Sequence, residues 1–158
     1  MSNIQGFFTL ETPADLLEKL RHDLYRIRQD LKDSCAAFDF FVTAEHLLDW
    51  KYPDTGGKTN KERKKQLRKE VPLLRVTSHL ANGGKHFKTT DRRHRSVSDA
   101  GVHKGAFDPA VFDPAAFDTD RLVVELEGDD ASALGPEVSV EALAQHVLQY
   151  WEANLAAP

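Results

Sequence analysis

Leu17, Leu20, Leu24, Ile27 and Leu31 recur at alternating steps of three and four, which predicts an amphipathic helix turned toward a helical partner. Thr12-Pro13 opens it, because Thr caps a helix and Pro suits its first position, and it is expected over 13–33. A second stripe, Ala37, Phe40, Phe41, Ala44, Leu47 and Leu48, predicts a helix over 35–51, capped by Ser34 and, as the most aromatic, central in the fold. Tyr52-Pro53-Asp54-Thr55-Gly56-Gly57 ends it in a loop. Thr59-Asn60-Lys61-Glu62 has capping-box form and starts a basic third helix over 60–82. Pro72 interrupts that helix while Leu73, Val76, Thr77 and Leu80 carry on its apolar face. Either it kinks at Pro72 or a second helix begins there. A last helix over 139–155, capped by Ser139, buries Val140, Leu143, Ala144, Val147, Leu148, Trp151 and Leu155 against the others.

Helical periodicity stops over 87–135. Leu122, Val124 and Leu126 alternate with Val123, Glu125 and Glu127 there, a half-buried strand leading into a turn at Gly128-Asp129-Asp130. Ahead of it the Phe-Asp element repeats three times, at Phe107, Phe112 and Phe117. A five-residue period suits neither helix nor strand, so these are read as Asp-Pro turns whose rings tuck against the core, with a peptide-docking patch or a dimer contact as the alternatives. The expected fold is mainly α: a single domain over 1–158, a four- to five-helix bundle with a small antiparallel β insertion before the C-terminal helix.

Charge changes this picture by position. The 158-residue chain carries a net −4, yet from Lys51 to Arg95 it holds 14 Lys or Arg against 4 acids, a local +10, leaving −14 for the remainder. Such a segment either steers an anionic partner or pairs with the acidic remainder. Cys35, the single cysteine, falls in an apolar pattern and is expected to be buried. One cysteine permits no internal disulfide, and the N-terminus shows neither a basic start nor an apolar run. A reducing, cytoplasmic setting without membrane span is therefore expected.

Candidate chemistry gathers around Leu80-Ala81-Asn82-Gly83-Gly84-Lys85-His86-Phe87, where two glycines are expected to end a helix and set Lys85 and His86 near its negative pole. On the preceding turns Arg75, Ser78, His79 and Asn82 share a face. With Lys85, His86, Arg92, Arg93 and Arg95 they form a candidate anion-binding edge, Arg offering a planar fork and Lys a point charge. His79, Lys85 and His86 are the candidate catalytic groups. A plainer reading gives Lys85 and His86 to the terminal carbonyls and pairs Arg75 with an acid of a neighbouring helix. Asp39, Thr43, His46 and Asp49 line one side of the second helix. His46 and Asp49 stand one turn apart, the only metal-like spacing, but without HExxH or a cysteine pair no metal or other cofactor is assigned. Gly56-Gly57-Lys58-Thr59 lacks the first glycine of a phosphate-binding loop, and Lys61, Lys64, Lys65, Arg68 and Lys69 spread around their helix.

His46-Leu47-Leu48-Asp49-Trp50 followed by the Ala81-Asn82-Gly83-Gly84-Lys85-His86-Phe87 run resembles an uncharacterised group of bacterial and phage-associated helical proteins with an A-N-x-x-K-H-F signature and a late Trp, here Trp151. The arrangement is also similar to HEPN-type bundles, many of them ribonucleases of toxin and antiphage systems. In those enzymes four to six residues lie between an Arg and the His that follows it. Here Arg75 and His79 stand closer than that, and Arg95 and His103 farther apart. The resemblance implies an architecture and a phage- or defence-linked setting more than a reaction. The expected function is binding, through a basic surface facing nucleic acid or an acidic protein. A divergent HEPN-like ribonuclease or a metal-dependent hydrolase is the alternative.

Overall fold

A computed structural model describes residues 6–85, 97–103 and 120–156 of the chain. Thr12 starts the first helix as expected: its Oγ1 accepts the Asp15 N–H at 3.2 Å, and Asp15 Oδ2 accepts the Thr12 N–H at 2.8 Å, a reciprocal capping box. This helix, α1 (Pro13–Gln29), ends four residues earlier than expected. Asp30 turns extended, and its carboxylate accepts the Lys32 N–H at 2.9 Å, a local bond that competes with another helical turn. Asp33, not Ser34, caps α2 (Ser34–Lys51), accepting the Ala36 N–H at 2.9 Å.

A 3₁₀ turn (Asp54–Gly56) leads to α3 (Lys58–Glu70), which begins two residues ahead of the expected start. Gly57, at φ +79°, is the residue that precedes it, and the Asn60 amide donates to Pro53 O at 2.8 Å instead of serving a capping box at Thr59. Pro72 separates α3 from α4 (Pro72–Lys85), because the residue before a proline is pushed to extended backbone, as Val71 is at φ −107°, ψ 106°. At the far end the expectation fails. α4 runs straight through Gly83 and Gly84, so the glycine pair is helix and not a corner. Glycine weakens a helix by about 1 kcal/mol per residue but does not by itself stop one.

Three strands follow: β1 (Val97–His103), β2 (Arg121–Leu126) and β3 (Glu137–Ser139), antiparallel in the order β1-β2-β3. Only β2 was legible as a strand. Val124 pairs with Ala100 on one side and Val138 on the other, and Asp99, Glu125 and Glu137 fall in one row. The expected turn at Gly128 is a short helix, α5 (Gly128–Leu134), entered through Gly128 at φ +59°. The last helix, α6 (Val140–Asn154), follows β3 without an intervening residue and is capped by Ser139 Oγ, which accepts the Ala142 N–H at 3.1 Å.

The core lies among α1, α2, α4 and α6, with α2 central and touching the other three. Leu20, Phe40, Leu47, Val76, Leu143 and Val147 are fully buried, and Val124 and Leu126 of β2 close one side. Cys35 is exposed, contrary to expectation: Ala36 and Ala37 take the inward positions at the start of α2. The three Phe-Asp copies at 107–118 lie outside the described residues. No helix among the described residues is long and apolar enough to cross a membrane.

Candidate polyanion-binding surface

Helix α3 holds more of the described cations than any other element, and the fold sorts them. At 100° per residue, Lys64 and Leu67 point into the protein, where both are buried. Lys64 Nζ donates to Asp49 Oδ1 at 2.7 Å and to Asp54 Oδ1 at 2.9 Å, joining α2, the 3₁₀ turn and α3. Burial alone would lower its pKa, but the two carboxylate bonds outweigh that and raise it, while the Lys64 bond holds Asp54 below its ordinary range. Arg68 is half-buried and pairs with Glu45 of α2.

Apart from Arg63, which is exposed on another side of the helix, what remains forms a row. Lys58, Lys61, Lys65 and Lys69 succeed one another at steps of three, four and four, which puts them within a sector of about 80° opposite Leu67. All four are exposed, and none makes an ion pair among the described residues. They span about 16 Å of helix axis. Glu62 and Glu70 border the row on one side. The expectation that the α3 cations spread around their helix thus resolves, Arg63 aside, into two populations: structural cations neutralised by Asp49, Asp54 and Glu45, and a solvent-facing lysine row.

The candidates on α4 fare differently. Arg75 Nε donates to both carboxylate oxygens of the buried Asp130, at 2.9 and 3.1 Å, and Nη1 donates to Lys69 O at 2.6 Å. The bonds to Asp130 raise the Arg75 pKa. This planar fork is fully engaged in tying α4 to α5 and to the end of α3, so Arg75 is not an open anion receptor. The plainer reading of this residue holds. Ser78 is buried with its Oγ 3.4 Å from Glu45 Oε1. His79 is half-buried, and its Nδ1 accepts the Val97 N–H at 3.1 Å, fixing the start of β1. Asn82 is half-buried near the end of α4, and Lys85 is the last residue of that helix. His86, Arg92, Arg93 and Arg95 lie outside the described residues.

The polar side of α2 is likewise divided. Asp39 bonds Arg26 of α1 at 2.6 Å, Thr43 is buried, Asp49 serves Lys64, and His46 is exposed. Among the described residues no three His, Cys, Asp or Glu side chains come together in a way that could hold a metal ion. The lysine row was within reach of the sequence, since its 3-4-4 spacing is visible there. What hid it was Lys64 and Arg68, whose acid partners sit 10 to 23 positions away.

No family model, curated protein or solved structure matches this chain.

Proposed function

We propose that the protein is a binding module whose α3 lysine row docks on the backbone of a nucleic acid. One observation carries this reading: Lys58, Lys61, Lys65 and Lys69 stand exposed in a single row without an ion pair among the described residues, while Lys64 and Arg68 beside them are neutralised within the fold. A backbone binder needs several cations on one surface, each displacing a condensed counterion from the phosphates. The row lies within the +10 segment of the chain. The similarity to HEPN-type bundles favours RNA as the anion. The catalytic alternative draws less support, because Arg75 is committed to Asp130 and the Nδ1 of His79 to Val97.

Fluorescence anisotropy with a labelled mixed-sequence RNA tests the proposal. Binding should weaken with added salt and should be lost on Lys61→Glu together with Lys65→Glu. Absent binding, or binding indifferent to both changes, refutes it. Poly-glutamate competing as well as unlabelled RNA would transfer the row to an acidic protein partner.

A further inference from the structure

One end of the bundle collects aromatic surface. A short connection makes α1 and α2 an antiparallel pair, and α6 also runs antiparallel to α1, since Arg21 meets Glu152 while Arg28 meets Glu141. The start of α1 and the ends of α2 and α6 therefore lie together. Lys51 Nζ ties that end, donating to Leu155 O at 3.1 Å and to Asn154 O. Trp50, Tyr52 and Tyr150 are half-buried there, and Phe7 and Phe8, just ahead of α1, are 64% and 85% exposed. Packed helix axes stand about 8–10 Å apart, which gathers the five rings into a patch roughly 20 Å across. Among the described residues, only Tyr25 and Phe38 of the aromatic side chains with exposed surface lie elsewhere.

The two phenylalanines are held outward by a built turn. The Phe7 N–H donates to Leu10 O at 2.7 Å and the Leu10 N–H donates to Phe7 O at 2.9 Å, closing a tight turn with two central residues. Phe8 takes φ +52°, a left-handed conformation that a bulky side chain rarely adopts. Gly6 lies at φ +82°, where a Cβ would fall 2.3 Å from Leu10 O, so only glycine lets the chain close there. The Glu11 N–H donates to Asp15 Oδ2 at 3.0 Å and fastens the turn to the start of α1, while Leu10 packs against the core. The Phe7 and Phe8 rings meet edge to face with centroids 4.7 Å apart. Backbone strain of this kind persists only where the surroundings impose it, and it marks segments that are used.

We propose that this end of the bundle docks on a lipid bilayer, with Phe7 and Phe8 entering the acyl boundary and Trp50, Tyr52 and Tyr150 settling at headgroup level. Three features select this occupant. The Phe7–Leu10 turn projects from a broad aromatic end, a shape that suits a yielding plane. Both backbone groups of Phe7 and of Leu10 that close the turn are already paired, so moving the tip into an apolar phase strands few polar groups. The ring types are also sorted as a membrane interface sorts them. Phenylalanine, with no polar atom, holds the tip, and tryptophan and tyrosine, each with an apolar body and a polar group, stand behind it. Such a contact is with the surface and needs no spanning helix. It uses none of the α3 lysines and stands apart from their role.

Phosphatidylcholine vesicles test this on the full chain. In a Cys35→Ser background, an environment-sensitive dye on Thr9→Cys should brighten and shift to the blue as vesicles are added, and brominated acyl chains should quench it. Co-sedimentation of unlabelled protein with the vesicles gives the partition coefficient. Phe7→Ser and Phe8→Ser should each lower it about tenfold, as expected for one buried ring. Tyr25→Ser is the matched control: that ring is 61% exposed but lies along α1, away from the turn, so its loss should change nothing. Gly6→Ala should weaken partitioning with both phenylalanines still present, because the turn can no longer close. Circular dichroism should show the same helix content throughout. A parent chain that does not partition, a Phe7→Ser/Phe8→Ser chain that partitions normally, or a loss from Tyr25→Ser equal to that from Phe8→Ser would each overturn the proposal. So would a Gly6→Ala chain that binds as tightly as its parent. The first outcome gives the two rings to a protein pocket, and RNA binding by the lysine row is unaffected by any of them.

Discussion

Replacing Lys61 and Lys65 together by Gln removes half of the lysine row while leaving Lys64 and its bonds to Asp49 and Asp54 in place. If all four lysines contact phosphates, a plot of log affinity against log salt should fall with a slope of about −2.8 on a single strand, or about −3.6 on B-DNA. Between 50 and 200 mM salt the unsubstituted protein should therefore lose about 50-fold in affinity for single-stranded RNA. The double variant keeps two contacts, a slope of about −1.4, and loses only about sevenfold over the same range. Lys64→Gln is the matched control. It removes one lysine from the same helix, but a buried one, so it should lower the urea midpoint and leave the salt slope unchanged. Anisotropy titrations at four or five salt concentrations read all three proteins. An unaltered slope in the Lys61/Lys65 variant, or an equal reduction from Lys64→Gln, would refute the division of α3 into structural and free cations.

Asp130→Asn should cost about 2–3 kcal/mol in urea unfolding, because it leaves a partly buried Arg75 guanidinium without its carboxylate while Lys69 O still holds one of its N–H groups. Ser139→Ala and Asp33→Ala should each lose about 1 kcal/mol as true caps, whereas Ser34→Ala should be nearly neutral, a contrast thermal melting resolves. The Asp15 carboxyl is held below its ordinary 3.8 first by the Glu11 N–H, then by the Thr12 hydroxyl and N–H. Its folded pKa is depressed, so the stability it supplies is present above 3.8 and is lost as pH falls through the folded value. Asp15→Asn should accordingly be less stable than the parent at about pH 6, with the gap closing below about pH 4.

Elements governed by local pattern were legible in advance. The stripes on α1, α2 and α6 recur at helical period, Pro72 forces a break through its own geometry, and the alternation of Leu122 to Leu126 marks a half-buried strand. Boundaries were less so, because they turn on contests between side chains for the same N–H groups, as when Asp33 caps α2 ahead of Ser34. β1 was hidden for another reason. Ser98, Asp99 and Gly101 have low strand propensity, and the segment is a strand because β2 supplies its partners. Among the candidate site residues, sequence placed Arg75 and His79 correctly on one helix but could not tell that Asp130 and Val97 would claim them. The α3 lysines were the reverse case. In the sequence they read as scattered around their helix, and only the partners of Lys64 and Arg68 reveal the row that is left.

The sheet is fastened to the bundle at separate points: the Val97 N–H to His79 Nδ1, the Leu122 N–H to Leu31 O at 2.9 Å, and β3 continuous with α6. It therefore has no opening of its own. In deuterium exchange the amide of Leu122, bonded to the loop between α1 and α2, should be released only with the unfolding of the whole bundle. The amide of Val102, at the outer edge of the same sheet where nothing among the described residues pairs with β1, should exchange far sooner in any chain that has no neighbour there. Two residues that belong to one sheet would thus report opposite ends of the protein's stability scale.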